Sequence, residues 1–174
     1  AIQAFEGATR VNPGWTSGYL QLAKLALSQK KYDQAIGYLE KAYNEERDQS
    51  AKLRYKLLTV KLLVKQNRPQ DAMRELQKAK QIAPKDLRVA NYEGEVQMAL
   101  NNYGAAKSAY TVAVQSAKEA GLSGAKLVKY YVGLAIATGK LDGKDAGMKI
   151  SEEHVKPFSG KYHKYVAYKI VGGQ

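Results

Sequence analysis

The sequence predicts an all-α protein in which antiparallel helix pairs stack side by side. Residues 87–120 have the periodicity of two amphipathic helices joined by a tight turn at 101–103. Gly94 is expected where the two helices approach closely, and Tyr110 is expected to wedge between them. One such pair cannot bury its own apolar face, so this stretch requires neighbouring copies of itself.

The chain contains such copies at a regular spacing. The same set of three residues recurs: an alanine, a large residue four positions later, and a second alanine three positions after that. The set begins at Ala35, Ala72 and Ala106. The first two sets are 37 residues apart and the next two are 34 apart. Chance helical hairpins rarely keep such a spacing three times, so we interpret the chain as a helical repeat.

Three helices are expected within residues 1–49. The first ends before Pro13, because proline does not continue a helix. The side chain of Thr16 or Ser17 is placed to cap the second helix. The third begins at about Tyr32 and carries the first alanine set.

Two further helices are expected before the central pair. The first is a long apolar and basic helix over residues 52–66. Pro69 then opens the first turn of a helix that extends to residue 82, since proline is well tolerated at that position. Residues 83–86 turn the chain towards the central pair.

The C-terminal part begins with a glycine-rich joint at residues 121–124. Three helices are expected to follow it, with the bounds 126–138, 145–156 and 160–171. Residues 139–143 are expected to form a turn, and Gly133 to be the small contact residue of the first of these helices. Tyr165 and Tyr168 are expected to cover part of the end of the stack.

At these residues the chain resembles the tetratricopeptide repeat family, whose period is 34 residues. The positions of the first full repeat that fit the family pattern are Tyr19, Leu22, Ala23, Ala35, Leu39 and Ala42. We expect a single repeat domain over residues 1–174, with repeats at 16–49, 53–86 and 87–120, a degenerate repeat at 126–159 and a capping helix at 160–174. Residues 1–15 are similar to the second helix of a preceding repeat, so we expect a fragment of a longer protein.

The resemblance implies a right-handed superhelix of helix pairs and a non-catalytic role as a protein-interaction scaffold. It also implies that the first helix of each pair lines a concave groove. The sequence departs from the family pattern at Thr59 and Val60, where Leu-Gly is expected. It departs again at Asp145 and Glu152, where small residues are expected, so the last repeat is predicted to be irregular.

The formal net charge of +12 is large for 174 residues and unevenly distributed. Residues 1–52 carry seven Lys and Arg against six Asp and Glu, residues 53–120 carry twelve against six, and residues 121–174 carry nine against four. Lysine-rich helix faces are often only solvated surface. The alternative is a partner of negative charge, such as an acidic peptide, a polyanion or a membrane surface.

Cysteine is absent, which excludes a disulfide framework and a thiolate metal site. This absence is compatible with the bacterial cytoplasm and with the periplasm, so the compartment is left open. No apolar run approaches the roughly 20 residues that a membrane-spanning helix needs.

The sequence contains no convincing catalytic or metal-binding motif. His154 and His163 lie nine residues apart on different predicted elements, without the His-Glu-x-x-His arrangement, and both are expected at the surface. The glycine-flanked stretch 139–145 lacks the spacing and the hydroxyl residue of a phosphate-binding loop. We therefore predict no enzyme activity and no cofactor.

The best binding signal is a row of cations. Arg54, Lys61 and Lys65 lie within about 40° of one another on a helical projection, and the repeat register assigns them to the groove side. The full set predicted to contact a partner is Lys24, Arg54, Lys61, Lys65, Arg88, Asn91 and Tyr130. Such a groove favours carboxylates or phosphates, although a groove that is merely hydrophilic remains the alternative.

We therefore expect a protein or peptide partner, extended or helical and acidic, in the concave groove. A second hypothesis is a polyanion, such as nucleic acid, acidic polysaccharide or anionic lipid, bound by the alternating bases and aromatics Lys161, Tyr162, Lys164 and Tyr165. A third is self-association through stacking of repeat ends.

Overall fold

The computed structural model of the chain describes residues 2–172, which form ten α-helices, one 3₁₀ helix and no strand. The helices are α1 (Ile2–Val11), α2 (Thr16–Ser28), α3 (Tyr32–Glu45), α4 (Gln49–Lys65), α5 (Pro69–Ile82), α6 (Leu87–Ala99), α7 (Tyr103–Glu119), the 3₁₀ helix (Gly124–Leu127), α8 (Val128–Asp142), α9 (Lys144–His154) and α10 (Gly160–Val171). The all-α prediction is thus confirmed. No helix within residues 2–172 has the length and apolar character needed to cross a membrane.

Two compact units divide the chain: a first unit, Ala1–Pro84, with α1 to α5, and a second unit, Lys85–Gln174, with α6 to α10. In both, helices that follow one another in sequence pack together. Their short connections make neighbouring helices antiparallel.

The core of the first unit is built on the predicted alanine sets. Ala35 and Ala42 on α3 are fully buried, and they pack against α2 at Leu22, Ala23 and Ala26, each only 1% exposed. Small residues at this interface let the helix axes approach, while leucines fill the remaining space.

The turns within three helix pairs share one backbone geometry. Lys30, Asn67 and Asn101 each have a positive φ, between 56° and 59°. The residue after each of them donates its backbone N–H to a carbonyl five residues earlier, at 2.9 Å in all three turns. A left-handed residue followed by this hydrogen bond is the Schellman motif, with which many α-helices end. The turns are 37 and 34 residues apart, the same spacings as the alanine sets.

Caps at the helix starts only partly follow the expectation. Pro69 opens α5, as predicted. The predicted side-chain cap of α2 is wrong, since α2 has none. Thr16 instead donates its hydroxyl to Glu46 Oε2 at 2.9 Å, which ties the start of α2 to the end of α3. Asp48 caps α4 by accepting the backbone N–H of Ala51 at 2.7 Å.

The second unit is held together at glycines that face large side chains. Gly94 on α6 faces the ring of Tyr110 on α7, where an added Cβ would lie 2.6 Å from Cε1. Tyr110 therefore wedges between helices, as predicted. Gly147 on α9 meets the backbone of α8, where an added Cβ would lie 2.5 Å from the Ala135 carbonyl oxygen.

The predicted turn at 139–143 is wrong. Helix α8 continues to Asp142, and Gly139 is a buried helical residue under the side chain of Ile170. The link to α9 is Gly143 alone. The small positions of α9 therefore differ from the predicted ones.

These small positions are Gly147 and Ser151, both buried, whereas Asp145 and Glu152 are exposed. Helix α10 packs on α8 and α9 through Val166 and Ile170, while Tyr165 and Tyr168 are 43% and 57% exposed. That these two tyrosines cover part of the end of the stack stays a prediction.

Candidate functional site

The exposed face of α4 carries a row of cations. This helix packs against both α3 and α5, so most of its circumference is buried. The remaining face exposes Arg54, Lys61 and Lys65, and the half-buried Leu58 lies between the first two of them. We call Arg54, Lys61 and Lys65 the α4 cation row. Helix α4 carries no acidic residue.

The two lysines of this row are electrostatically uncompensated. Neither Lys61 nor Lys65 forms an ion pair with any side chain in the described part of the chain. The guanidinium of Arg54 lies 5.5 Å from the centroid of the Tyr55 ring, a cation–π distance that leaves its N–H donors without a carboxylate. Like charges one turn apart repel each other, so an anion bound here removes that repulsion.

Lys24 is the predicted contact on the other first helix of this unit, α2. It is exposed, and within residues 2–172 it has no ion-pair partner. Gln21 and Ser28, one turn to either side of it, are also exposed and uncharged. Four of the seven predicted contact residues are therefore solvent-exposed cations of the first unit.

The other three predicted residues belong to the second unit and have partners there. Arg88 binds Asp86 through both ends of its guanidinium, with Nη2 at 2.7 Å from Oδ2 and Nε at 3.0 Å from Oδ1. Asn91 donates its amide to Glu95 at 3.0 Å. The Tyr130 side chain is only 2% exposed, with the ammonium of Lys129 4.6 Å from its ring centroid.

A buried ion pair on α4 was not foreseen. Lys56 is buried, and its ammonium lies 2.7 Å from Glu75 Oε2 on α5 and 4.1 Å from the Tyr43 ring centroid on α3. Lys78 binds the other oxygen of Glu75 at 2.7 Å. The sequence does indicate that Lys56 is buried, because it lies one turn from Leu53 and from Val60 on the apolar face of α4.

Opposing effects act on the Glu75 carboxyl. Burial alone would raise its pKa, but the hydrogen bonds and charges of Lys56 and Lys78 outweigh burial and lower it. Glu75 therefore stays ionised at neutral pH. Lys56 and Glu75 line a cavity of about 200 Å³ that also contains Arg68, Asp71 and Arg74. Arg68 and Arg74 both bind Asp71 at the start of α5.

The two histidines lie in the second unit and are partly covered. His154 stacks on Tyr131 with a ring separation of 4.1 Å. The expected surface position is wrong for His163, whose side chain is 15% exposed; its Nδ1 lies 3.0 Å from Ser151 Oγ and its Nε2 lies 3.3 Å from Glu152 Oε1. Among the described residues, no three His, Cys, Asp or Glu side chains form a cluster that could hold a metal ion.

Comparisons with known proteins bear on the fold. The tetratricopeptide repeat family model matches residues 26–94, which run from the end of α2 through α3, α4 and α5 to Gly94 on α6. This confirms the resemblance found in the sequence. The search of curated protein sequences gives no match.

Several solved structures share the fold at low sequence identity. Yeast Tom70 is 17% identical with a TM-score of 0.69, over 97% of this chain and 35% of its own. BtubC from P. vanneervenii is 14% identical with a TM-score of 0.72, over 99% and 81%. YrrB, described as a TPR protein with an unusual peptide-binding site, is 11% identical with a TM-score of 0.68, over 94% and 80%.

These likenesses show the fold and no shared ligand. The chain spans about a third of the length of Tom70, so the activity of that whole protein is not transferred to it. The tetratricopeptide repeat fold is typically that of a non-catalytic scaffold for protein–protein interaction.

Proposed function

Because the tetratricopeptide repeat model matches residues 26–94 of this chain, we propose that it is a non-catalytic scaffold that binds an acidic protein segment through the α4 cation row. The observation that carries the proposal is the state of Lys61 and Lys65. Both are exposed, and both lack an ion-pair partner among the described residues, on the single open face of α4. Lys24 on α2 is the further cation that this unit offers.

The spacing of the row suits a short acidic motif. At a rise of 1.5 Å per residue, Lys61 lies about 10 Å from Arg54 along the helix axis and Lys65 about 6 Å further. In an extended ligand, alternate side chains point to opposite faces, and those on one face recur about every 6.6 Å. Acidic residues at positions n, n+4 and n+6 therefore lie on one face; the last two match the spacing of Lys61 and Lys65, and the long side chain of Arg54 spans the first step of about 13 Å. A helical ligand would match with acidic residues at n, n+7 and n+11.

Charge alone gives a weak complex, because exposed ion pairs contribute only about 0.2–1 kcal/mol each. Leu58 adds an apolar contact in the middle of the row, and its inner side packs on the core of the first unit. The preferred ligand thus has an apolar side chain between its acidic residues. This composition separates the proposal from simple attraction of any anion.

Peptide display on the immobilised protein tests the proposal. The selected sequences should be enriched in Asp and Glu at the spacings given above. The double reversal Lys61→Glu/Lys65→Glu should reduce the affinity of a selected peptide by about tenfold or more. A matched control, Lys31→Glu/Arg47→Glu, changes the net charge equally at exposed positions of the same unit away from the row. Equal loss in both variants, or no acidic enrichment, would reject the assignment.

A polyanion bound by α10 is the second candidate function. Lys161 and Lys164 are exposed on α10, and the rings of Tyr162 and Tyr165 are 51% and 43% exposed. Bases and aromatics on one exposed helix suit stacking and phosphate contacts. Retention on heparin at low salt should be lost in Lys161→Glu/Lys164→Glu and should fall steeply with added salt. A wild-type protein that passes through the column without retention would remove this candidate.

Self-association through stacking of repeat ends stays a prediction. It is tested by light scattering across a wide range of protein concentrations. A constant monomer mass over that range would reject it.

A further inference from the structure

The second unit contains an apolar hollow beside the start of α8. Its volume is about 560 Å³. Aliphatic side chains, Leu122 and Val128, and aromatic ones, Phe158 and Tyr162, line it, and Lys126 and Lys129 border it. We call this the Phe158 hollow. It is formed only by residues of the second unit, and it shares none with the α4 cation row.

Hydrogen bonds fix the backbone at the two aromatic residues. The N–H groups of Phe158 and Ser159 both donate to the Val155 carbonyl, at 3.1 and 2.8 Å, which fixes the turn between α9 and α10. Ser159 Oγ then accepts the N–H of Tyr162 at 3.3 Å and caps α10. A Cβ added at Gly124 would lie 3.6 Å from Phe158 Cε1, so the opposite wall is close.

These rings remain in contact with solvent despite this ordered backbone. Phe158 is 52% exposed and Tyr162 is 51% exposed. Exposed aromatic side chains beside one another on a positively charged surface are typical of an interaction site.

The charged side chains that line the hollow are all positive. Both charged residues that line it are lysines, and no acidic side chain lines it. Lys126 forms no ion pair within the part of the chain that the structure describes, and Lys129 contacts the Tyr130 ring. The surrounding residues, 121–174, carry nine Lys against four Asp and Glu.

We propose that the Phe158 hollow is a second peptide-binding site, which takes an apolar side chain of a protein segment whose neighbouring residues are Asp or Glu. The apolar side chain fills the space between Phe158, Tyr162 and Val128. The flanking carboxylates pair with Lys126 and Lys129. The aliphatic wall favours a side chain such as leucine, because a flat base would leave Leu122 and Val128 uncovered.

The test uses the full chain with Lys61→Glu/Lys65→Glu, so that binding at the α4 cation row does not contribute. The probe is a fluorescein-labelled peptide of sequence GEELEELEEG, followed by fluorescence anisotropy at low salt. A second peptide, GEESEESEEG, keeps the charge and removes the apolar side chains. Unlabelled oligothymidylate serves as the polyanion competitor.

Two substitutions probe the hollow, and each has a matched control in the second unit. Phe158→Ala is compared with Leu141→Ala, another exposed apolar residue. Lys126→Glu is compared with Lys149→Glu, another exposed lysine. All four positions are at the surface, so far-UV circular dichroism should show unchanged helix content.

We expect GEELEELEEG to bind, and each substitution in the hollow to weaken its binding by about tenfold, with less than about a twofold change in the controls. GEESEESEEG should bind about tenfold more weakly than the leucine peptide. The proposal is overturned if the leucine peptide does not bind, if the serine peptide binds equally well, or if the hollow variants match their controls. It is also overturned if oligothymidylate displaces the peptide from the protein with an intact hollow but does not displace it from the Phe158→Ala variant. The hollow would then be a polyanion site.

Discussion

Tyr110 on α7 fills the space where Gly133 on α8 lacks a side chain. A Cβ added to Gly133 would lie 2.4 Å from Cε1 of the Tyr110 ring, a distance that no relaxed contact allows. The same ring faces Gly94 on α6, so one aromatic side chain packs between three helices of the second unit. The glycines at these two places are therefore required by packing and not by backbone conformation.

Gly133→Ala should accordingly destabilise the second unit. The added methyl must displace the Tyr110 ring, and overpacking of this kind costs about 1–3 kcal/mol. Thermal unfolding followed by far-UV circular dichroism measures the loss. Gly104→Ala is the control, because a Cβ at Gly104 on α7 meets no atom within 4 Å. Its melting temperature should stay the same or rise slightly. Equal melting temperatures for the two variants would contradict the packing account.

Removing one partner of the buried Lys56–Glu75 pair should lower the stability of the first unit. Glu75→Leu leaves the ammonium of Lys56, whose side chain is 4% exposed, without its carboxylate, and we expect a loss of about 3 kcal/mol. Lys56→Met/Glu75→Leu should regain most of that loss, since the desolvated charge is gone. Urea unfolding followed by the fluorescence of Trp15, the single tryptophan, reports on the first unit.

Asp33→Ala is the control for this pair. Asp33 binds Arg68, but its side chain is 78% exposed, so its removal should cost less than about 1 kcal/mol. Additive losses in the Lys56 and Glu75 double variant would show that the pair is not coupled.

The first unit should lose stability in acid through Glu75. Its pKa is lower in the folded protein than the ordinary value of 4.5, so its stabilising contribution is present above that value and disappears as the pH falls through the lower folded pKa. Urea midpoints from Trp15 fluorescence should thus fall below about pH 4.5, and less steeply in Glu75→Gln than in the wild type. Parallel pH curves for the two proteins would contradict this.

Gly143 is the whole connection between α8 and α9, and its backbone has φ +102° and ψ 157°. This region is almost restricted to glycine, so Gly143→Ala should cost about 1–3 kcal/mol although a Cβ would meet no neighbouring atom. Gly160→Ala, at the first residue of α10 and also free of contacts, is the control. The melting temperature measured by far-UV circular dichroism should fall only in Gly143→Ala; an unchanged value there would show that the link relaxes.

Local periodicity was sufficient to predict the repeated part of the fold. The alanine sets at Ala35, Ala72 and Ala106 depend on contacts between helices close in sequence, and the turns at Lys30 and Asn67 follow the same spacing. The resemblance to the tetratricopeptide repeat rests on these positions. The helix pairs that carry them need little information from distant residues.

The α8–α9 pair could not be predicted in this way. Gly139 and Gly143 both looked like turn residues, because glycine usually interrupts a helix. Gly139 is instead helical because Ile170, 31 residues later in the chain, packs against it. A contact at that distance in the sequence leaves no periodic signal.

The candidate site was predictable as a set of cations and not as a set of contacts. Exposure of Lys61 and Lys65 follows from the periodicity of α4. The engagement of Arg88 by Asp86 and the burial of Tyr130 depend on the conformations of long side chains, which residue spacing does not determine. Binding at all seven residues stays a prediction.

A charge-swap measurement tests the central claim most directly. A peptide selected on the wild-type protein is synthesised again with its acidic residues replaced by lysine, and both peptides are titrated against the wild type and against Lys61→Glu/Lys65→Glu. The account predicts that the acidic peptide prefers the wild type and the lysine peptide prefers the variant, each by about tenfold or more. An acidic peptide that binds both proteins equally, with no gain for the lysine peptide on the variant, would contradict binding at the α4 cation row.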